Sequence, residues 1–229
     1  NLEVSMRLKL MLVLSAFALG CVKKVETGEA RRFNAQGVKL LEQDRPQDAA
    51  EAFKKALKAD PGYLKARLNL GIALYRAGQL GRAEGVLKEV LDEAEDQRKA
   101  LYVLGLVYRT QGRYPEAAEL FERVVSLDPQ DHYSYYNLGV LYDKMGRAEE
   151  AVRAFRKVVK LSPRNTAAHY NLGRLLLKLG RKEEAERELG IFRKLQEEVA
   201  DTSEGYASGY ASGYAASYLE QSRYAMPEK

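Results

Sequence analysis

The chain has 229 residues, 46% hydrophobic and 30% charged, with a formal net charge of +5 from 37 basic and 32 acidic side chains. That content supports a folded body with a buried core, and the interspersed signs exclude the one-sided basic stripe that would track a nucleic-acid backbone. Cys21 is the only cysteine, which excludes an internal disulfide framework and a thiolate metal site.

The first element is an address. From Met6 the sequence reads MRLKLMLVLSAFALGC, with Arg7 and Lys9 ahead of an uncharged, mostly apolar run from Leu10 to Gly20. That run is shorter than the about 20 residues a bilayer-spanning helix needs. A basic start, a short apolar core and small residues at its end describe a secretory signal peptide, assigned to residues 1–20. ALGC at 18–21 resembles the lipobox of bacterial lipoproteins, although Ala18 and Leu19 stand where the commonest form has leucine and a small residue. The resemblance implies cleavage before Cys21 and a lipid on its sulfur. Val22 replaces the aspartate that holds many enterobacterial lipoproteins at the inner membrane. The implied location is therefore the outer membrane, facing the periplasm, with a secreted or cell-surface protein as the alternative. Residues 21–29 are a short polar tether.

A repeat of 34 residues follows, in segments 30–63, 64–97, 98–131, 132–165 and 166–200. Its eighth place holds Gly37, Gly71, Gly105, Gly139 and Gly173, and its twentieth Ala49, Ala83, Ala117, Ala151 and Ala185. The twenty-fourth holds Phe53, Leu87, Phe121, Phe155 and Leu189. The thirty-second holds Pro61, Pro129 and Pro163, with Glu95 and Glu197 in the other two copies. Small residues at two facing places let helices approach closely, and a large residue at the twenty-fourth fills the space between repeats. The GR pairs at 112–113, 146–147 and 180–181 supply a helix C-cap, and the prolines stop the second helix. This pattern resembles the tetratricopeptide repeat (TPR). The expected fold is all-α, a right-handed solenoid of five helix-turn-helix repeats stacked on one another.

In that family the first helix of each repeat lines a concave groove. The matching places carry Asn69, Tyr75 and Tyr102, then Tyr133, Tyr136 and Asn137, then Tyr170 and Asn171. Asparagine can pair with both polar groups of a bound backbone, and tyrosine offers contact area with a polar tip. The resemblance therefore implies a peptide or helix of a protein partner in the groove. Some of these tyrosines could instead pack between neighbouring first helices. The carboxylate clamp of chaperone-binding members is incomplete: Asn69 and Lys99 match it, but Asn34, Val38 and Val103 occupy its other places.

No catalytic set or phosphate-binding glycine loop appears. His132 and His169 stand 37 residues apart without a clustered carboxylate, so no enzyme activity, cofactor or metal is expected. Beyond residue 200 the composition shifts to a tail, 201–229, rich in Gly, Ala, Ser and Tyr, with Tyr206, Tyr210, Tyr214 and Tyr218 at four-residue spacing. It reads as a flexible appendage, or as a docking peptide that covers Leu189, Phe192 and Leu195 on the last repeat.

The architecture resembles the TPR lipoproteins that act as pilotins of type IV pili. The implied function is a non-enzymatic envelope scaffold assisting assembly of a complex such as a pilus secretin. The alternative is a structural subunit, a homo-oligomer stacking end to end through its last repeat and tail.

Overall fold

The computed structural model describes residues 28–201. The apolar run, Cys21 and the tyrosine-rich segment after residue 201 lie outside the described residues. Among the described residues there are ten helices and no strand. They are α1 (Gly28–Glu42), α2 (Pro46–Ala59), α3 (Leu64–Arg76), α4 (Leu80–Glu93) and α5 (Arg98–Thr110), then α6 (Tyr114–Leu127), α7 (His132–Lys144), α8 (Ala148–Leu161), α9 (Thr166–Lys178) and α10 (Lys182–Asp201). Odd-numbered helices are the A helices of the repeats and even-numbered ones the B helices. Each helix packs on the next in sequence, and α3 also touches both α1 and α5. No described helix is long and apolar enough to cross a membrane.

Local chemistry explains where these helices start and stop. The A-to-B turns pass through Gly78, Gly112, Gly146 and Gly180 at φ of +72° to +77°, the left-handed region where glycine carries no steric penalty. At the second of them, Arg113 N–H donates to the Tyr108 carbonyl at 2.9 Å and Gly112 N–H to the Arg109 carbonyl at 3.1 Å. Those bonds close the helix end in a Schellman pattern. The first repeat makes the same turn with Asp44 at φ 54°, and aspartate tolerates this region better than most residues. Asp131 and Asn165 cap α7 and α9, accepting from Tyr133 N–H at 3.1 Å and Ala168 N–H at 2.9 Å.

α2, α6 and α8 end two residues before Pro61, Pro129 and Pro163, because proline disfavours helical backbone in the residue preceding it. α4 has no such proline and still ends at Glu93, where Gln97 N–H closes a turn on the Ala94 carbonyl at 3.0 Å. α10 also lacks the proline, and it runs on for 20 residues where the other B helices have 14.

The core is built from the repeat residues. Ala49, Ala83, Ala117, Ala151 and Ala185 are each 0% exposed. The large residue at the twenty-fourth place packs within its own repeat, where the sequence reading put it between repeats. A Cβ at Gly37 would lie 2.6 Å from the Phe53 ring, and one at Gly139 would lie 2.8 Å from the Phe155 ring. The ring occupies the volume that the glycine leaves open, and it joins the A and B helices of one pair. Between repeats, ion pairs such as Arg123–Asp96 (2.7 Å) and Arg181–Glu149 (3.4 Å) run along the surface. Such pairs contribute about 0–1 kcal/mol each, so stacking rests on the apolar contacts.

Candidate partner-binding face

The A-helix face is organised by hydrogen bonds between successive repeats. Asn69 donates to the Asn34 side-chain oxygen at 3.0 Å. Asn137 donates to the Tyr102 hydroxyl at 3.2 Å and to the Tyr133 carbonyl at 2.9 Å, while the Arg109 guanidinium donates to its oxygen. Asn171 donates to the Tyr136 hydroxyl at 3.3 Å and to the Ala167 carbonyl at 2.9 Å. Tyr102 and Tyr136 each set their ring edge-on against the large residue of their own repeat, Phe121 at 5.4 Å and Phe155 at 5.5 Å. The Tyr136 hydroxyl is held above its usual pKa by burial, against a smaller opposite effect of the Asn171 bond.

These contacts divide the sequence-selected residues into two groups. Tyr102, Asn137, Asn69 and Tyr133 are buried, at 0%, 3%, 5% and 9% exposure. They fasten one A helix to the next or pack beneath the face. Tyr75, Tyr136 and Asn171 are half-buried, and Tyr170 is 46% exposed. The middle helix is the most enclosed, with Tyr102, Val103 and Leu106 at 0–1% exposure. The most exposed side chains of the face lie on α9, next to half-buried ones on α7 that resemble those of α3. There Val140 and Asn171 are half-buried, while Arg174 and Leu177 are exposed, Leu177 at 49%. Arg174 reaches back to Asp143 on α7. Tyr136→Ala and Asn137→Ala would break bonds between repeats, so binding lost in them would not isolate a contact.

One signal for this ladder was present in the sequence. Asn34 and Asn69, Tyr102 and Asn137, and Tyr136 and Asn171 are each separated by 35 residues. That spacing places the fifth position of one A helix beside the sixth position of the next. Asn69, one of the two matches to a carboxylate clamp, is engaged by Asn34. The other match, Lys99, is held below the usual lysine pKa, chiefly by burial and then by the nearby charges of Lys65 and Arg98.

Neither histidine belongs to a group of three or more metal-binding side chains among the described residues. His132 lies against the Tyr133 ring at 4.0 Å. His169, 4% exposed, places Nδ1 2.6 Å from the Glu188 carboxylate on α10 and Nε2 3.0 Å from the Pro163 carbonyl. Two acceptors favour the imidazolium, which donates to both. The bond to Glu188 raises its pKa above the ordinary 6.5 despite the opposing effect of burial. A folded-state pKa above the unfolded one gives stability that is complete below the unfolded value and is lost as pH rises through the folded value. The thermal midpoint should therefore fall as pH rises above the ordinary histidine value of 6.5, and His169→Gln should flatten that fall. An unchanged pH profile in the variant would remove His169 from this role.

A tetratricopeptide repeat family model matches residues 40–105, and the model for subunit 3 of the anaphase-promoting complex (cyclosome) matches residues 110–191. The chain is a tetratricopeptide-repeat protein. Solved structures of MamA share its solenoid of paired helices. One, a double mutant of MamA RS-1, superposes with a TM-score of 0.72 at 25% identity, covering 76% of this chain and 98% of the other. MamA 41-end from Desulfovibrio magneticus RS-1 gives a TM-score of 0.68 at 26% identity, covering 78% and 99%. A further MamA crystal structure gives 0.69 at 25% identity, covering 80% and 100%. No curated protein matches the sequence. The TPR array is a protein-interaction scaffold, from a family that is in general non-enzymatic.

Proposed function

We propose that this TPR protein is an envelope-anchored scaffold that holds a peptide or helix of a protein partner on its A-helix face. The observation that carries the reading is the accessible strip on α7 and α9. Apolar Val140 and Leu177 stand there beside the partly exposed hydrogen-bonding side chains of Tyr136 and Asn171. An apolar strip edged by donors and acceptors suits a backbone segment with one apolar side. The double variant Arg174→Gln, Leu177→Asp alters this strip without touching the Asn–Tyr ladder between repeats or setting a like charge against Asp143. It should weaken partner binding by roughly 30-fold or more, equal to about 2 kcal/mol, as expected for central contact residues. Its thermal midpoint should stay near that of the parent, since Arg174 is engaged only in a surface pair with Asp143. Undiminished capture of the partner from solubilised membranes would move the contact elsewhere.

The anchoring half of the proposal rests on ALGC at 18–21. A lipid on Cys21 would hold the array at a membrane surface through a tether shorter than the sequence suggests, since Gly28 and Glu29 already belong to α1. The resemblance to pilotin-type lipoproteins makes an outer-membrane assembly, such as a pilus secretin, the first partner to test. Cys21→Ser should leave an uncleaved precursor and abolish incorporation of labelled fatty acid. Label retained in the variant would refute the anchor while leaving the binding face untouched.

A further inference from the structure

Charges that mix along the chain are sorted by the fold. The A helices carry twelve basic side chains and three acidic ones, Glu29, Glu42 and Asp143. On the B helices acidic side chains outnumber basic ones. α3 and α5 hold no acidic side chain. Among the described residues α3 touches both α1 and α5, and no two B helices make a comparable contact. The A helices therefore line the inner side of the curve. At the second place of the first three repeats stand Arg31, Lys65 and Lys99. Lys65 and Lys99 come one turn before Asn69 and Val103, on the same helix face. Arg31 is exposed, and the two lysines are half-buried. Burial, then the like charges of Lys65 and Arg98, hold Lys99 below the usual lysine pKa. Acids around this end are engaged elsewhere: Asp128 by Arg98, Asp96 by Arg123 at 2.7 Å, and Asp131 in the cap of α7. The row ends at α5, since the second place carries Tyr133 on α7 and Ala167 on α9.

We propose that Arg31, Lys65 and Lys99 form a docking row for an acidic, extended segment of a partner protein, with a carboxylate at every third residue. Charge complementarity selects the occupant, because a bound carboxylate would offset the repulsion between Lys65 and Lys99. Spacing selects its conformation. Packed helices lie about 8–10 Å apart, so side chains at one place of successive A helices are separated by about that distance. A polyproline II backbone rises about 3.1 Å per residue with three residues per turn, which returns every third side chain to one side after about 9 Å. In a β-strand the third side chain points to the opposite face. A helix with an apolar side gains little on α5, where Tyr102, Val103 and Leu106 are 0–1% exposed. The row differs from the chaperone clamp: Asn69 is engaged by Asn34, and the row reads side-chain carboxylates rather than a chain end. A flat bilayer does not enter the inner side of a curve. Three cations are few for a nucleic-acid backbone, whose affinity rests on many phosphate contacts. The row also lies apart from the strip on α7 and α9, so either site can fail without the other.

Fluorescence anisotropy with the full chain and a labelled, C-terminally amidated peptide of three Glu-Pro-Pro triplets tests this. The peptide should bind at least about tenfold more tightly than its Gln-Pro-Pro counterpart, and more tightly than a peptide with the same three glutamates adjacent. Binding should weaken as ionic strength rises. Lys65→Gln with Lys99→Gln should weaken it by about tenfold, whereas Lys65→Arg with Lys99→Arg should retain it. Lys58→Gln with Lys160→Gln removes the same charge from the B helices and should change it by less than about twofold. Equal binding of the glutamate and glutamine peptides would overturn the proposal. An effect of the B-helix variant as large as that of the Lys65 and Lys99 variant would also overturn it, by reducing the row to general attraction. Phosphatidylglycerol vesicles should bind the parent no better than the Lys65 and Lys99 glutamine variant. Vesicle binding lost in that variant would overturn the proposal, by placing a membrane on the row.

Discussion

Phe121→Ala is expected to lower the free energy of unfolding by about 3–5 kcal/mol, the cost of a full aromatic truncation in a close-packed site. Phe121 is 0% exposed, lies in the middle pair, and packs edge-on to Tyr102 with ring centroids 5.4 Å apart. Its ring also covers Gly105, where an added Cβ would lie 2.9 Å from the Phe121 Cζ. Truncation therefore opens a cavity bounded on one side by a residue that has no side chain to fill it. In a solenoid each repeat is stabilised only by its neighbours, so damage at the centre weakens both flanks. Chemical denaturation should show a lower midpoint, or a second transition as the halves uncouple. A loss below about 1 kcal/mol would mean that the site collapses onto its glycine, outside the range seen for such truncations.

Gly139→Val should cost about 3 kcal/mol, the upper end for overpacking a filled core. A Cβ at Gly139 would stand 2.8 Å from both Cε2 and Cζ of Phe155, and valine adds two methyl groups beyond it. The gain in helix propensity over glycine is smaller, at about 0.5 kcal/mol. The Phe155 ring cannot retreat freely, because Tyr136 packs edge-on against it at 5.5 Å. Combining Gly139→Val with Phe155→Ala should recover at least about 1 kcal/mol relative to additivity, since residues in contact couple at this level. Leucine would not serve, since a Cβ at Gly71 would lie 2.7 Å from Leu87 and one at Gly173 2.6 Å from Leu189. Strictly additive losses in the double-mutant cycle would refute direct contact as the cause.

The sequence by itself determined the repeat and the local events within it. Glycine at the eighth place, alanine at the twentieth and a large residue at the twenty-fourth describe one A–B contact. Both helices of that contact lie within a single 34-residue segment, so their periodicity is written locally. Pro61, Pro129 and Pro163 likewise stop their helices through the neighbouring backbone alone. Only the tertiary structure decided which residues of the A-helix face remain accessible. Asn137 and Asn171 occupy the same repeat place, yet Asn137 is 3% exposed and Asn171 half-buried. Tyr102 and Tyr170 also share a place, and their exposures are 0% and 46%. The difference lies in the neighbours: Tyr102 has a further A helix whose Asn137 donates to its hydroxyl, and Tyr170 lies on the last A helix among the described residues. His169 acquired its role in the same way, from Glu188 on the facing helix and the carbonyl of Pro163. Burial and pairing at these places depend on how closely successive repeats approach, and no single repeat encodes that distance.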